Sequence, residues 1–269
     1  MAAILITNDD GIDSPALLPL AGALQRLGEV HTAVPDRERS WIGKAVSRFD
    51  PLAVRSVVAE GTTVHAIDGT PADCVNLGLF ELFPERCTLV VSGINLGLNF
   101  GTAFFLSSGT IGAALEAWIA GVPALAFSMA LPHDAYGLSG SDRAARLGDL
   151  PLRAAGVAAE ITETIVGNGF PAGIDLFSIN FPADVAMSTP RRVTPIARTK
   201  YASLFSRDDR GLFHHRIRRY DACEPAASSD VASITRGEIS IAPVRLDLNA
   251  RLSGPLTAAL ERTGAPPQS

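Results

Sequence analysis

The sequence predicts an α/β protein with a doubly wound, mostly parallel sheet, and three observations predict it. Short apolar runs of the kind buried on both faces of a sheet occur at residues 4–7, 88–93 and 123–129, with further strand patterns at 30–34 and 176–181. Segments with helical spacing separate them at 16–27, 72–82, 111–120 and 152–166. Turn and stop signals mark the joins: Asp9-Asp10-Gly11 after the first strand, Gly28 after the first helix, Pro35-Asp36 after the second strand.

The remaining elements follow in order. Ser14-Pro15 supplies an N-cap and a first-turn proline for the helix at 16–27, and Thr70-Pro71 does the same for 72–82. A polar loop spans 36–44, and 53–58 and 64–67 read as shorter strands. Residues 132–149, rich in Gly, Ser, Asp and Arg, read as a surface excursion. Residues 190–220 alternate apolar and cationic side chains, as extended hairpins do. Their low internal hydrophobicity fits an arm exchanged between subunits as well as an ordinary antiparallel extension. Residues 230–243 read as strands, 256–262 as a short helix and 264–269 as a frayed tail. The expected division is a core at 1–185 and an extension at 186–269 carrying the arm and returning strands.

Composition narrows the classes of function. Of 269 residues 47% are hydrophobic and 19% charged, which suits a sizeable core and excludes a disordered chain. The net charge is −5, and the three arginines in 216–219 do not offset it, so a nucleic-acid duplex is not an expected partner. No apolar stretch reaches the roughly 18 residues that span a bilayer. Cys74, Cys87 and Cys223 are odd in number and widely spaced, which gives neither a disulfide framework nor a cysteine zinc site. The expectation is a cytoplasmic globular protein without a membrane partner.

Chemistry gathers at the strand ends. In open α/β sheets ligands bind outside the carboxyl ends of the strands. There the first strand carries two adjacent carboxylates, Asp9 and Asp10. They repel one another and resist burial unless a cation compensates, and a hard divalent cation prefers such oxygen ligands. Alone, the pair also reads as solvated turn residues. The loop after the second strand adds a hydroxyl, Ser40, and cationic arms. The loop at 93–101 holds two side-chain amides, Asn95 and Asn99. Ser108-Gly109-Thr110 opens a helix, where free N–H groups suit an anion such as phosphate. Together these are the parts of a metal-assisted phosphoryl hydrolase.

Five motifs in fixed order make a specific match. Ile-Thr-Asn-Asp-Asp-Gly-Ile from residue 6, Pro-Asp-Arg-Glu-Arg-Ser from 35, Gly-Thr-Pro-Ala-Asp-Cys-Val from 69, Val-Ser-Gly-Ile-Asn from 91 and Ser-Gly-Thr from 108 resemble the SurE family of stationary-phase survival nucleotidases. The resemblance runs from residue 4 to about 129 and returns at 178–182 and 229–231. It implies a Rossmann-like three-layer fold with an extended C-terminal β arm used in oligomerisation, as a homodimer or homotetramer. The implied activity is metal-dependent hydrolysis of nucleoside 5'-monophosphates, with 3'-monophosphates or other small phosphate esters as further substrates. The implied cofactor is one divalent ion, magnesium or manganese, per subunit. Asp9, Asp10, Ser40 and Asn95 match the family's metal ligands. Asn8 lies beside Asp9 and Asp10 and is grouped with them as catalytic. Asn99 and Ser108-Gly109-Thr110, with Asn95, match positions near the phosphate.

The chain departs from the family pattern near that phosphate. Ala103 stands where an acidic residue is usual, and Phe104-Phe105-Leu106-Ser107 is one residue longer, which predicts a bulge within 103–107. The usual Tyr or His before Ser-Gly-Thr is absent, and Trp41 follows Ser40 in place of a smaller residue. One alternative is therefore a relative that binds nucleotide with weak or lost catalysis. A receiver-type signalling module also pairs acidic residues after its first strand. It needs an acceptor such as Asp68 and a lysine at the fifth strand, and no lysine follows Met129 until Lys200.

Overall fold

The computed structural model describes residues 2–84, 86–216, 220–222, 226–250 and 252–261. In the first half β1 (Ala2–Thr7), α1 (Leu17–Leu24) and β2 (Gly28–Pro35) are followed by the hairpin of β3 (Val54–Ala59) and β4 (Thr62–Ile67). Next come α2 (Pro71–Leu77), β5 (Leu89–Leu96), α3 (Gly101–Ser107), α4 (Gly109–Ile119) and β6 (Ala124–Met129). The excursion at 132–149 contains α5 (Gly140–Leu147), and α6 (Leu150–Gly167) and β7 (Leu176–Phe181) complete the alternation.

Nine strands form one sheet in the order β3-β4-β2-β1-β5-β6-β7, then β13 (Ile239–Val244) and β8 (Arg191–Val193). The six strands β1, β2, β4, β5, β6 and β7 are mutually parallel, and counted in chain order they run 3-2-1-4-5-6, the Rossmann order. Chain order reverses between β1 and β5, so the crevice beyond their carboxyl ends is where a ligand binds in such sheets.

The period of two along each strand sorts the core into layers. Ile4 and Ile6 point to one face and pack with Leu17, Leu20 and Leu24 of α1 and Val157 and Ile161 of α6. Leu5 and Val90 point to the other, against Cys74 and Val75 of α2 and Ile111 and Ala114 of α4. These strand residues are fully buried, and each such aliphatic side chain contributes roughly 1.5–3 kcal/mol relative to exposure. The Gly-Thr-Pro-Ala-Asp motif has a local cause: Thr70 Oγ1 accepts from Asp73 N at 3.1 Å and Asp73 Oδ2 from Thr70 N at 2.8 Å, a reciprocal cap with proline at the helix start.

Three sequence expectations are corrected. Residues 230–243 are not all strand, because Ser229 Oγ caps Ala232 N and starts α7 (Asp230–Thr235) before β13. β13 then returns antiparallel to β7. The expected bulge at 103–107 is absent, and the longer segment is taken up as the helix α3. The expected helix at 72–82 changes pitch at Gly78 and ends in a wider turn. The segment after β8 is extended, as expected: β9 (Thr199–Tyr201) pairs with β12 (Tyr220–Ala222), and β10 (Phe205–Arg207) forms a hairpin with β11 (Phe213–His215). A short helix α8 (Pro255–Leu260) follows. The expected tail at 264–269 lies outside the described residues.

Candidate active site

The loop after β1 is built by Asn8. Its Nδ2 donates to the Gly11 carbonyl at 3.0 Å and its Oδ1 accepts from Gly11 N at 3.0 Å, closing a tight turn around both aspartates. Gly11 has φ +85°, and a Cβ there would lie 2.6 Å from the Arg37 backbone, so the turn nests directly on the 36–40 loop. Arg39 N completes the join by donating to the Asp9 carbonyl at 2.7 Å. Asn8, fully buried, holds the loop instead of facing the cavity, which corrects its grouping with the reacting residues.

The two carboxylates are aimed by different elements. Asp9 Oδ1 accepts from Thr110 Oγ1 at 2.7 Å, in the first turn of α4. Asp10 Oδ2 accepts from Leu96 N at 3.0 Å, at the end of β5. Burial pushes the Asp9 carboxyl up to about 6, although the Thr110 hydroxyl pulls the other way. Burial, and then the Asp9 charge, hold Asp10 well above the carboxylate range. Among the described residues neither makes an ion pair with a cationic side chain. Arg37 and Arg39, the nearby arginines of the loop, are turned to Asp68 at 3.6 and 2.7 Å.

One cavity of about 550 Å³ gathers most of the expected residues: Asp9, Ser40, Asn95, Asn99 and Ser108 line it. Asp10 is fixed beside Asn95 through Leu96. Ser40 Oγ donates to Glu38 Oε1 at 2.7 Å, which brings a third carboxylate to the rim. Asn95 Nδ2 donates to the Gly97 carbonyl at 2.8 Å, so its oxygen is the atom left for a ligand. Two carboxylates, a hydroxyl and an amide oxygen are all hard donors, and a divalent cation would compensate the adjacent pair of buried Asp9 and half-buried Asp10. The site therefore fits such an ion.

The anion end is a connected strip. Ser108 Oγ caps α4 by accepting from Ile111 N at 3.1 Å, and Gly109 and Thr110 are buried behind it. Asn99 Nδ2 donates to Ser128 Oγ at 2.8 Å and reaches Thr110 Oγ1 at 3.4 Å, while Asn99 N donates to Asn180 Oδ1 at 2.9 Å. Gly109 touches the carboxylate end: a Cβ there would lie 2.9 Å from Asp9 Cβ, 3.0 Å from Asp9 Oδ2 and 3.2 Å from the Arg39 carbonyl. Gly109→Ala is thus expected to displace Asp9 and weaken manganese binding roughly 10–100-fold, the scale for disturbed ligand support. Calorimetric titration reads this, and native-like affinity would refute the packing argument.

Sequence reading passed over several of these residues. Ser128 is the one polar residue of β6, a signal that was available, and Asn180 lies in the matched stretch 178–182. Asp230 accepts from Gly101 N at 2.7 Å and from Ala197 N and Val231 N at 2.8 Å, and so ties α3 to the second segment. Glu38 was visible only as part of its motif. Of the two neighbouring phenylalanines, Phe105 is buried in the core and Phe104 lines the cavity.

A Rossmann-ordered sheet with an acidic oxygen-donor cluster and a helix N-terminus at its switch point defines an α/β protein with a candidate cation and anion site. The chain belongs to the SurE family, whose model, described as survival protein SurE, matches residues 4–203. It is 35% identical over 251 residues to the 5'-nucleotidase SurE of Methanocella arvoryzae, covering 92% of this chain and 93% of that protein. It is 38% identical over 251 residues to the 5'-nucleotidase SurE of Moorella thermoacetica, covering 91% and 90%. The crystal structure of the SurE protein from Aquifex aeolicus is similar with a TM-score of 0.73 at 28% identity, covering 92% of this chain and 94% of that one.

Proposed function

We propose that the protein is a metal-dependent phosphomonoester hydrolase of nucleoside 5'-monophosphates, with 3'-monophosphates as a second class. The observation that carries this is the meeting of Asp9, Ser40, Asn95, Asn99 and Ser108 on one cavity, with buried Asp9 and half-buried Asp10 in no ion pair among the described residues. The names of the relatives, 5'-nucleotidases, support the same reading. Phosphate release from AMP, lost on chelation and restored by magnesium or manganese, tests it. No release with either ion would overturn it.

Asp9, Asp10, Ser40 and Asn95 would hold one magnesium or manganese ion per subunit. When bound, such an ion polarises a phosphoryl oxygen and makes a water more acidic. Asp9, oriented by Thr110, would take the proton of the attacking water. The first turn of α4, with its N–H groups and dipole, favours negative charge gathering on the phosphoryl oxygens. Asn99 orients Thr110, and Thr110 orients Asp9. A second reading, nucleotide binding with weak turnover, draws on the same strip, because the Thr110 hydroxyl is already committed to Asp9. The phosphate assay separates the two.

We also propose a homodimer or homotetramer assembled through the β10–β11 hairpin. Phe205, Leu212 and Phe213 are 56–68% exposed there, and apolar groups grouped on one projecting hairpin are normally covered. Light scattering at micromolar concentration is expected to report an oligomer, and Phe205→Ser with Phe213→Ser to shift it towards monomer. A stable wild-type monomer would refute this. No helix among the described residues is long and apolar enough to cross a membrane. The cytoplasmic placement rests on the free thiols Cys74 and Cys87.

A further inference from the structure

The cavity is larger than phosphate chemistry requires. Its 550 Å³ falls within the roughly 300–1,000 Å³ of sites that enclose whole small molecules. Beside Asp9 and Ser40 the lining is aromatic, with Trp41, Phe100, Phe104 and Tyr136. Tyr136 comes from the excursion after β6, and its hydroxyl accepts from Leu131 N at 3.2 Å, which ties the ring to the end of that strand.

Trp41 is held there against its own backbone preference. Its φ is 60°, a region where a bulky side chain is an outlier. Such strain persists only where the surroundings over-determine the conformation, and it clusters at ligand clamps. Three rings brace the indole: Phe104 at 5.8 Å, Tyr201 at 6.0 Å and His215 at 4.8 Å between centroids, all tilted or edge-on. Tyr201 and His215 belong to β9 and β11, so a segment far along the chain fixes a side chain in the active-site loop. Trp41 directly follows Ser40. Its ring therefore stands at the Ser40 end of the cavity, whose lining runs on to Asn99 and Ser108.

We infer that Trp41, with Phe104 forming the adjoining corner, stacks on the nucleobase and makes this site prefer nucleoside monophosphates over sugar phosphates. The inference rests on the hydrolase reading and names the part of the substrate that the cavity recognises beyond the phosphate. Stacking on an aromatic side chain changes affinity by about 5- to 160-fold per base and tolerates every base, because each has a π face. The preference is therefore for a base being present, with little choice among bases.

AMP and ribose 5-phosphate share the phosphate and the sugar and differ in the base. In the manganese-loaded enzyme Trp41→Ala is expected to raise the KM ratio of AMP to ribose 5-phosphate about tenfold. Trp41→Phe, which restores a ring, is expected to recover most of that. An unchanged ratio in Trp41→Ala overturns the inference. A second arm needs no turnover: adenosine, which has no phosphate, is expected to quench the indole fluorescence of a Trp118→Phe variant, where Trp41 is the remaining tryptophan. Absence of quenching at saturating adenosine overturns it as well. Quenching by adenosine in an enzyme that hydrolyses neither ester supports the stacking and strikes the hydrolase reading alone.

Discussion

Asp10→Asn is expected to lower phosphate release from AMP by roughly 10³-fold, the upper range for losing one preorganised charge in a reacting site. The substitution conserves shape. An asparagine oxygen can still accept the Leu96 N–H that Asp10 Oδ2 accepts at 3.0 Å, so the loop and the end of β5 stay joined. What is lost is a charged oxygen that would ligate the proposed cation, replaced by an amide nitrogen that cannot. Removing that carboxyl also ends the cost of placing a second charge beside Asp9. The variant is therefore expected to melt no lower than wild type without metal while failing to bind manganese in calorimetry. Wild-type turnover in Asp10→Asn would remove the pair from the metal site altogether.

The second large effect is on stability against pH in the metal-free protein. Asp9 rises from 3.8 to about 6 on folding, and Asp10 is raised too, so the folded state holds these protons more tightly than the unfolded one. Stability is then greatest below about pH 4 as far as these groups are concerned, and falls as pH rises through the folded value near 6. For Asp9 the loss by neutral pH is on the order of 3 kcal/mol. In a chain of this size that corresponds to roughly 6–12 °C in melting temperature. Because the ligands bind metal deprotonated, added manganese is expected to restore more at pH 7.5 than at pH 5. The measurement is the difference between wild type and Asp9→Asn, each freed of metal and melted at both pH values. Wild type is expected to lose more than the variant between pH 5 and 7.5. Identical losses would show that Asp9 ionises without a burial cost.

Much of this site was legible because its signals are local. The Asp9-Asp10-Gly11 turn, the Ser108 cap and the Thr70-Pro71 helix start are each written within a few residues, and cap and turn chemistry does not depend on the rest of the chain. The strands at 4–7, 88–93 and 123–129 were legible because burial on both faces of a parallel sheet demands continuous apolar runs. The helix α3 was not. Gly101-Thr-Ala-Phe-Phe-Leu-Ser has no side-chain N-cap. Its start is held by Asp230 and Thr199: Asp230 Oδ2 accepts from Gly101 N at 2.7 Å and Thr199 Oγ1 from Ala103 N at 3.0 Å.

The sequence by itself determined the alternation of strands and helices, the turns that close them and the oxygen donors placed at their ends. These depend on hydrophobic period and on neighbours a few residues away. Only the tertiary structure decided which donors meet. The order of the parallel strands brings Asp9 to Thr110 and Asp10 to Leu96, and the return of β13 and β8 to the sheet accompanies Asp230 in anchoring α3. It also spent Asn99 on Ser128 and set Trp41 against Tyr201 and His215. Such pairings join residues tens to more than a hundred positions apart. Their geometry is set by packing of the whole core, which no local pattern encodes.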